Sequence, residues 1–248
     1  MQALILVGGL GTRLRPVLDA SVPKPMAAIA GRPFLAYLLG QLRRNAFEQV
    51  WLLTGHGGQN VERYFGTGDG WDLTIRYSLE PEPLGTGGAL RHVLPRLSGE
   101  RFLVMNGDSF LGTSLATLDR AHDRACATSP SVLASLALAR VDEGDRFGSV
   151  DLAPDGRVTG FREKSSASAA STSAALINAG VYVVERALIE SLPPRGPVSL
   201  ERDVFPPLCD GRLRGVELAG PFVDIGVPES YAAICADPSM LLPMLEAP

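Results

Sequence analysis

Two positively charged side chains stand beside a glycine-rich turn near the start of the sequence. Residues 3–7 are apolar and predict a strand, which ends at Gly8, Gly9 and Gly11. Glycines allow a tight turn, and the successive N–H groups of such a turn can bind phosphate oxygens. Arg13 and Lys24 follow the turn and add positive charge. The pattern therefore indicates a site for a phosphorylated ligand.

The scarcity of lysine singles out Lys24 and Lys164. They are the only lysines among the 23 basic residues, and a chain that otherwise relies on arginine keeps a compact ammonium group at few positions. Two common phosphate motifs are excluded. Leu14 stands where the dinucleotide fingerprint needs a third glycine, and the sequence contains no Gly-Lys pair for a Walker loop.

Strand-like and helical patterns alternate through the first half of the sequence. Strands are predicted at residues 3–7, 50–54, 73–79, 102–105 and 132–139, and helices at 33–42, 59–65, 89–97 and 115–127. This alternation predicts a Rossmann-like α/β fold, with a mixed, mostly parallel sheet and helices on both faces. Ligands of such a sheet bind beyond the carboxyl ends of its strands, where the glycine turn and Asp108 both fall.

The second half is less regular. Residues 149–152 and 157–161 flank an Asp-Gly pair and predict a hairpin, and further strands are predicted at 181–185, 215–218 and 222–225. A helix is predicted at 228–236, and the serine- and alanine-rich residues 165–175 predict a mobile loop. We expect one domain over 1–248, in which the second half, from about residue 141, adds a substrate-binding layer.

Composition excludes several classes of protein. The net charge of −4 argues against nucleic acid or an anionic membrane as the main partner, and the apolar runs are too short for a membrane helix. A start without a basic leader and three widely spaced cysteines favour a reducing, cytoplasmic location. No pair of histidines four residues apart and no cysteine–histidine cluster indicates zinc. His92 and His122 fall on helical patterns and are expected to be structural.

Several motifs together resemble the sugar-1-phosphate nucleotidylyltransferases. They are GGLGTRLRP at 8–16, PKPM at 23–26, LGTGGAL at 84–90, NGD at 106–108, FREK at 161–164, NAGVY at 178–182 and FVDIG at 222–226. Their order and spacing fit the family and cover most of the chain. Within the family, SLERD at 199–203 and DIGVPESY at 224–231 are most similar to the D-glycero-α-D-manno-heptose 1-phosphate guanylyltransferases.

The resemblance implies a nucleotide-binding half at about 1–140, a sugar-phosphate-binding half at about 141–248, and roles for individual residues. Arg13 and Lys24 would be catalytic, stabilising negative charge on the triphosphate and on the transferring phosphoryl group. The nucleotide would be bound by residues of the two glycine motifs, namely Gly8, Gly9, Gly11, Thr12, Gly85, Thr86 and Gly88. Asp108 and Asp224 would be the two carboxylates that hold Mg²⁺. The sugar 1-phosphate would be bound by Gly148, Glu163, Lys164 and Asn178.

The implied reaction joins a nucleoside triphosphate (NTP) to a sugar 1-phosphate and releases pyrophosphate. GTP with D-glycero-α-D-manno-heptose 1-phosphate is the first expectation, and UTP or dTTP with a hexose or amino-sugar 1-phosphate stays open. A glycosyltransferase that uses a nucleotide sugar is a further alternative, although Asn106 stands where its Asp-x-Asp metal motif would begin. A non-enzymatic nucleotide-sugar sensor is the third functional hypothesis. The oligomeric state, including a homo-oligomer, is left open.

Overall fold

The computed structural model describes residues 1–9, 11–19, 22–141, 149–162 and 175–246 of the chain. Its strands are β1 Gln2–Leu6, β2 Ala28–Ile29, β3 Arg32–Pro33, β4 Gln49–Thr54, β5 Thr74–Leu79, β6 Arg101–Asn106, β7 Ser109–Leu111, β8 Ala134–Val141, β9 Ser149–Leu152, β10 Val158–Arg162, β11 Ala175–Glu185, β12 Leu213–Glu217 and β13 Phe222–Asp224. Its α-helices are α1 Phe34–Arg44, α2 Gly58–Phe65, α3 Gly85–Val93, α4 Leu115–Thr128, α5 Arg186–Glu190 and α6 Pro228–Ala236.

One mixed sheet contains strands from both halves of the chain. Strands β5, β4, β1 and β6 lie side by side and parallel, and β11 continues the sheet antiparallel to β6. Beyond β11, β8 pairs with β12, while β9 pairs with β10. The predicted α/β fold with a mixed sheet is confirmed. The carboxyl ends of β1, β4, β5 and β6 consequently meet at one edge.

Apolar side chains cover both faces of this sheet. Successive residues of a strand point to opposite faces, so Ile5 packs in one core cluster with Phe34 of α1, while Leu4 packs in the other with Leu90 of α3. All of these side chains are fully buried. Burial on both faces explains why the parallel strands read as continuous apolar runs.

Strand β11 is longer than predicted because it contains a bulge that the sequence pattern hides. Asn178 pairs with Leu138 of β8, but Tyr182 pairs with Leu136, so the strand carries two extra residues between these pairs. Gly180 lies in the bulge with a φ of +74°, a left-handed conformation that side chains with a Cβ rarely adopt. The bulge places Asn178 and Gly180 near the loop after β6.

Three local features differ from the sequence reading. Helix α3 begins at Gly85 rather than Ala89, so the second glycine motif forms its first turn. Strand β7 was not predicted, and neither was a π-helical turn at Leu200–Val204.

The predicted hairpin is confirmed, since Asp155 Oδ1 accepts a hydrogen bond from the Arg157 N–H at 3.1 Å and Gly156 has a φ of +79°. Within the described ranges, no helix is both long enough and apolar enough to cross a membrane.

Gly180→Ala should destabilise the fold by about 2–4 kcal/mol, because the new Cβ would meet the Ser109 hydroxyl and the left-handed backbone would be strained. Gly196→Ala is the matched control, since Gly196 has a similar φ of +79° with open space around its Cβ position. Strain alone should cost about 1 kcal/mol there. Urea denaturation of both variants measures the difference, and equal losses would contradict the steric role of Gly180.

Candidate active site

The carboxyl edge of the sheet borders a cavity of about 430 Å³. Loops after β1, β5 and β6 form its walls. Eight of the residues that the sequence predicts as functional line it, namely Gly8, Gly9, Gly11, Arg13, Lys24, Gly85, Thr86 and Asp108. The fold therefore brings together residues that are up to 100 positions apart in the chain.

The first glycine turn leaves backbone open to this cavity. A Cβ on Gly8 would lie only 2.7 Å from Glu80 Oε1, whereas Gly9 has open space on its side-chain side. Gly11 has a φ of +59° and ends the turn. The short 3-10 helix Thr12–Leu14 follows, and its Leu14 is fully buried. Burial of Leu14 anchors the loop, and the neighbouring Arg13 is exposed at the cavity wall.

An ion pair connects two of the predicted functional residues. Lys24 Nζ donates to Asp108 Oδ2 at 2.5 Å, and the two side chains are 14% and 35% exposed. Pro23 and Pro25 flank Lys24 and restrict its backbone, which forms a short helical turn. Since an ammonium group has three N–H donors, Lys24 keeps donors for a ligand while it pairs with Asp108.

The second predicted metal carboxylate lies next to the first. Asp224 pairs with Ser109 in the small β7–β13 sheet, and the Ile225 N–H donates to the Asp108 carbonyl at 3.0 Å. Asp224 Oδ1 accepts the Gly226 N–H at 2.7 Å. A Cβ on Gly226 would lie 2.5 Å from the same oxygen, so glycine keeps space beside this carboxylate. The two carboxylates stand on neighbouring backbone segments and offer the hard oxygen donors that Mg²⁺ prefers.

A polar network supports the opposite wall of the cavity. Glu201 Oε2 accepts hydrogen bonds from the Thr86 hydroxyl at 2.8 Å and the Ser199 hydroxyl at 3.0 Å. The fully buried Tyr182 donates to Glu201 Oε1 at 3.3 Å and accepts from Asn178 Nδ2 at 2.9 Å. Burial raises the pKa of Tyr182 well above its usual value, so the phenol stays protonated. Glu201 thus connects the first turn of α3, through Thr86, to the bulge of β11.

Some predicted residues occupy other positions. Gly88 is buried, and its N–H and that of Gly87 both donate to the Val198 carbonyl, at 3.2 and 2.8 Å. These two N–H groups are therefore occupied by the protein. Asn178 holds the bulge through its side chain, since its Oδ1 accepts the Gly180 N–H at 3.0 Å. Gly148, Glu163, Lys164 and the predicted loop up to residue 174 lie outside the described residues.

The sequence reading missed two residues that line the cavity. Glu80 follows β5, and its Oε2 accepts the Leu84 N–H at 2.8 Å. Burial raises the pKa of the Glu80 carboxyl, while the Leu84 hydrogen bond acts in the opposite direction. Asn106 also lines the cavity, and within the described chain its buried Oδ1 has no hydrogen-bond partner. For Glu80 the only available signal was its place directly after a strand, whereas Asn106 begins the NGD motif at the end of β6.

Comparison with known proteins identifies the family. The sequence matches the nucleotidyl transferase family over residues 2–238. It is 39% identical over 242 residues to mannose-1-phosphate guanylyltransferase of Mycobacterium tuberculosis, covering 96% of this chain and 64% of that protein. It is 36% identical over 232 residues to D-glycero-alpha-D-manno-heptose 1-phosphate guanylyltransferase of Aneurinibacillus thermoaerophilus, covering 93% of this chain and 95% of that protein.

A solved structure also matches this chain over nearly its whole length. The crystal structure of HddC from Yersinia pseudotuberculosis complexed with GMP-PN matches with a TM-score of 0.79 and 29% identity, covering 95% of this chain and 98% of that chain. The chain therefore belongs to the nucleotidyl transferase family. Its relatives define it further as a sugar-1-phosphate nucleotidyltransferase, which confirms the resemblance seen in its motifs.

Glu201→Gln should raise the KM for the NTP several-fold, because an amide cannot accept all three hydrogen bonds that hold Thr86, Ser199 and Tyr182. Unfolding free energy should also fall by about 1–2 kcal/mol. Steady-state kinetics and denaturation test both effects. Glu190→Gln, which changes an exposed carboxylate on α5, is the control. An unchanged KM alongside reduced stability would leave Glu201 a purely structural residue.

Proposed function

We propose that this chain transfers a guanylyl group from GTP to a sugar 1-phosphate and releases pyrophosphate. D-glycero-α-D-manno-heptose 1-phosphate is the acceptor we propose first, because the match to the heptose relative spans nearly the whole of both proteins. Mannose 1-phosphate is the second candidate, favoured by the 39% identity to the mycobacterial enzyme. Guanine is supported by the names of both relatives and by one side chain in the cavity.

That side chain is Glu80, and it carries the proposal for guanine. An ionised carboxylate only accepts hydrogen bonds. Guanine offers two adjacent donors, N1–H and the N2 amino group, on its pairing edge. Uracil and thymine offer a single N–H between two carbonyl oxygens, which a carboxylate would repel. Glu80 lines the same cavity as Gly8 and Gly85, and a Cβ on Gly8 would lie 2.7 Å from its Oε1. A base bound along the glycine loops would reach this carboxylate. Leaving the donor or acceptor of a wrong base unpaired gives strong discrimination.

Positive charge supports the phosphate chemistry. Attack by a sugar phosphate oxygen on the α-phosphorus forms one P–O bond and breaks the bond to the leaving pyrophosphate. The attacking oxygen is already ionised near neutral pH, so no protein base is required. The task of the site is to bring two polyanions together and to neutralise them. Arg13 and Lys24 would do this, with N–H groups of Gly8, Gly9 and Gly11 beside them.

Mg²⁺ completes the proposed charge balance. Asp108 and Asp224 would hold the ion through carboxylate oxygens. When bound, Mg²⁺ supplies positive charge that offsets the charge on the phosphate oxygens. Lys24 would orient the Asp108 carboxylate toward the cavity through their ion pair.

The sugar-phosphate side rests on both the resemblance and one buried atom. Lys164 would bind the phosphate of the acceptor, and Glu163 would accept hydrogen bonds from its hydroxyl groups, with Gly148 leaving room for the ring. Asn106 lines the cavity, and its buried Oδ1, which has no partner among the described residues, would accept a hydrogen bond from a hydroxyl group of the sugar.

A matrix of four NTPs against several sugar 1-phosphates, read as pyrophosphate release, tests this function. We expect GTP with manno-heptose 1-phosphate or mannose 1-phosphate to have the highest kcat/KM. Preference for UTP or dTTP with a hexose or amino-sugar 1-phosphate would overturn the guanylyl assignment. Pyrophosphate release with any pair separates this enzyme from a glycosyltransferase and from a nucleotide-sugar sensor.

Glu80→Gln should lower kcat/KM for GTP by about 10–100-fold, because the amide replaces one acceptor with a donor that faces a guanine N–H. The same variant should lose much less activity with UTP, since an amide can pair with the N–H and carbonyl of uracil. The ratio of the two kcat/KM values is the measurement. Glu82→Gln, an exposed neighbour, is the matched control. An unchanged ratio would refute base reading by Glu80.

Arg13→Ala should lower kcat by on the order of 10²-fold, the scale of losing one pre-organised charge donor at a developing anion. Arg15→Ala is the control, because Arg15 is also exposed on the same loop but is not among the cavity-lining residues. Single-turnover kinetics at saturating GTP and sugar 1-phosphate isolate the chemical step. Near-normal turnover in Arg13→Ala, or an equal loss in both variants, would contradict the role of Arg13.

A further inference from the structure

A histidine, a cysteine and a carboxylate meet at the edge of the sheet opposite the cavity. His122 and Cys126 are one turn apart on α4, and Glu185 ends β11. His122 Nε2 lies 2.9 Å from Glu185 Oε1 and 3.4 Å from Cys126 Sγ. All three ligand atoms are within 4.8 Å of one another. Sequence reading found no zinc spacing because Glu185 is 63 positions from His122.

The two distances from His122 Nε2 are close to those between neighbouring ligands of a tetrahedral zinc ion. Bond lengths of about 2.0–2.3 Å place neighbouring nitrogen, oxygen and sulfur ligands roughly 3.3–3.6 Å apart. The Nε2–Sγ distance of 3.4 Å falls within that range, and the Nε2–Oε1 distance of 2.9 Å is a few tenths of an ångström shorter. A histidine, a thiolate and a carboxylate together form a donor set that binds Zn²⁺ in preference to Mg²⁺. Three protein ligands leave one tetrahedral position for water.

The second nitrogen of the imidazole is held as metal-binding histidines usually are. His122 Nδ1 lies 2.8 Å from the Ser135 hydroxyl of β8, and both side chains are fully buried. Such a contact fixes the ring orientation and directs Nε2 toward Cys126 and Glu185. Ser135 can accept from Nδ1–H, and in that tautomer the Nε2 lone pair faces the position between the two other ligands.

Local charge favours a divalent cation. Arg101 forms ion pairs with Asp119, Asp123 and Glu185 at 3.4, 2.5 and 2.8 Å. One guanidinium therefore meets three carboxylates, so this group of ion pairs has an excess of two negative charges. Both Arg101 and His122 contact Oε1 of Glu185. Arg101 would hold this oxygen in place while its second lone pair binds the cation.

We propose that His122, Cys126 and Glu185 form a binding site for a zinc-like divalent cation, with water as the fourth ligand. The site would fasten α4 to β11 at the far edge of the sheet. It is separate from the proposed Mg²⁺ site, because Glu185 pairs with Arg101 at the start of β6 and the cavity lies beyond the other end of that strand. Six residues of strand span about 17–20 Å.

Co²⁺ titration of the chelator-treated chain tests the proposal. A thiolate-to-cobalt charge-transfer band should saturate at about one Co²⁺ per chain. Cys126→Ser should lose the band, whereas Cys235→Ser, which changes the exposed cysteine of α6, should retain it. Co²⁺ bound by the oxygen ligands Asp108 and Asp224 gives no thiolate band, so the two sites are distinguishable. Pyrophosphate release with Mg²⁺ should persist in Cys126→Ser.

A second measurement uses the unaltered chain and does not depend on the folding of a variant. Zn²⁺ should slow alkylation of Cys126 at least about tenfold, as followed by peptide mass spectrometry, and Mg²⁺ should not. The alkylation rate of Cys235 is the internal reference. The proposal is overturned by a wild-type chain without the band, by a band that survives in Cys126→Ser, or by alkylation of Cys126 that Zn²⁺ leaves unchanged.

Discussion

The ion pair between Lys24 and Asp108 is the interaction on which the site depends. A cavity that receives polyphosphate must hold positive charge before the ligand arrives, and a partly buried ammonium group without a counter-charge is costly. Asp108 provides the counter-charge at 2.5 Å and joins loops that are 84 positions apart. One contact thus balances the charge of Lys24, fixes its direction and holds the Asp108 carboxylate at the cavity.

The rest of the architecture serves to keep that pair in place. The prolines beside Lys24 limit its backbone, and the β7–β13 sheet ties the Asp108 carbonyl to the Ile225 N–H. Glycines stand where side chains would fill the space, as at Gly226 beside Asp224. Because both faces of the main sheet are buried, the strand ends that carry these loops are rigid. Small loops on a firmly packed sheet are a common way to position charged groups.

Much of the fold and half of the site could be predicted from the sequence. Apolar runs and glycine punctuation revealed the parallel strands, because strands buried on both faces have few polar interruptions. The motifs located Arg13, Lys24 and Asp108 before any contact was known. Glu80 escaped notice because nothing in the sequence distinguishes a carboxylate that faces a cavity from one that faces water. The bulge of β11 was hidden because pairing of Tyr182 with Leu136 is a property of register, which a single strand does not encode.

Helix α3 lies in the first half of the chain and residues 196–201 lie in the second half, but hydrogen bonds join the two segments closely. The Val198 carbonyl accepts the N–H groups of Gly87 and Gly88, and the Val198 N–H donates to the Leu84 carbonyl. Arg91 also donates to the Gly196 carbonyl at 3.1 Å. Chimeras that exchange the second halves of related enzymes at about residue 140 would therefore separate α3 from residues 196–201, which accept the N–H groups of its first turn. Recombination of such enzymes has to carry α3 and residues 196–201 together.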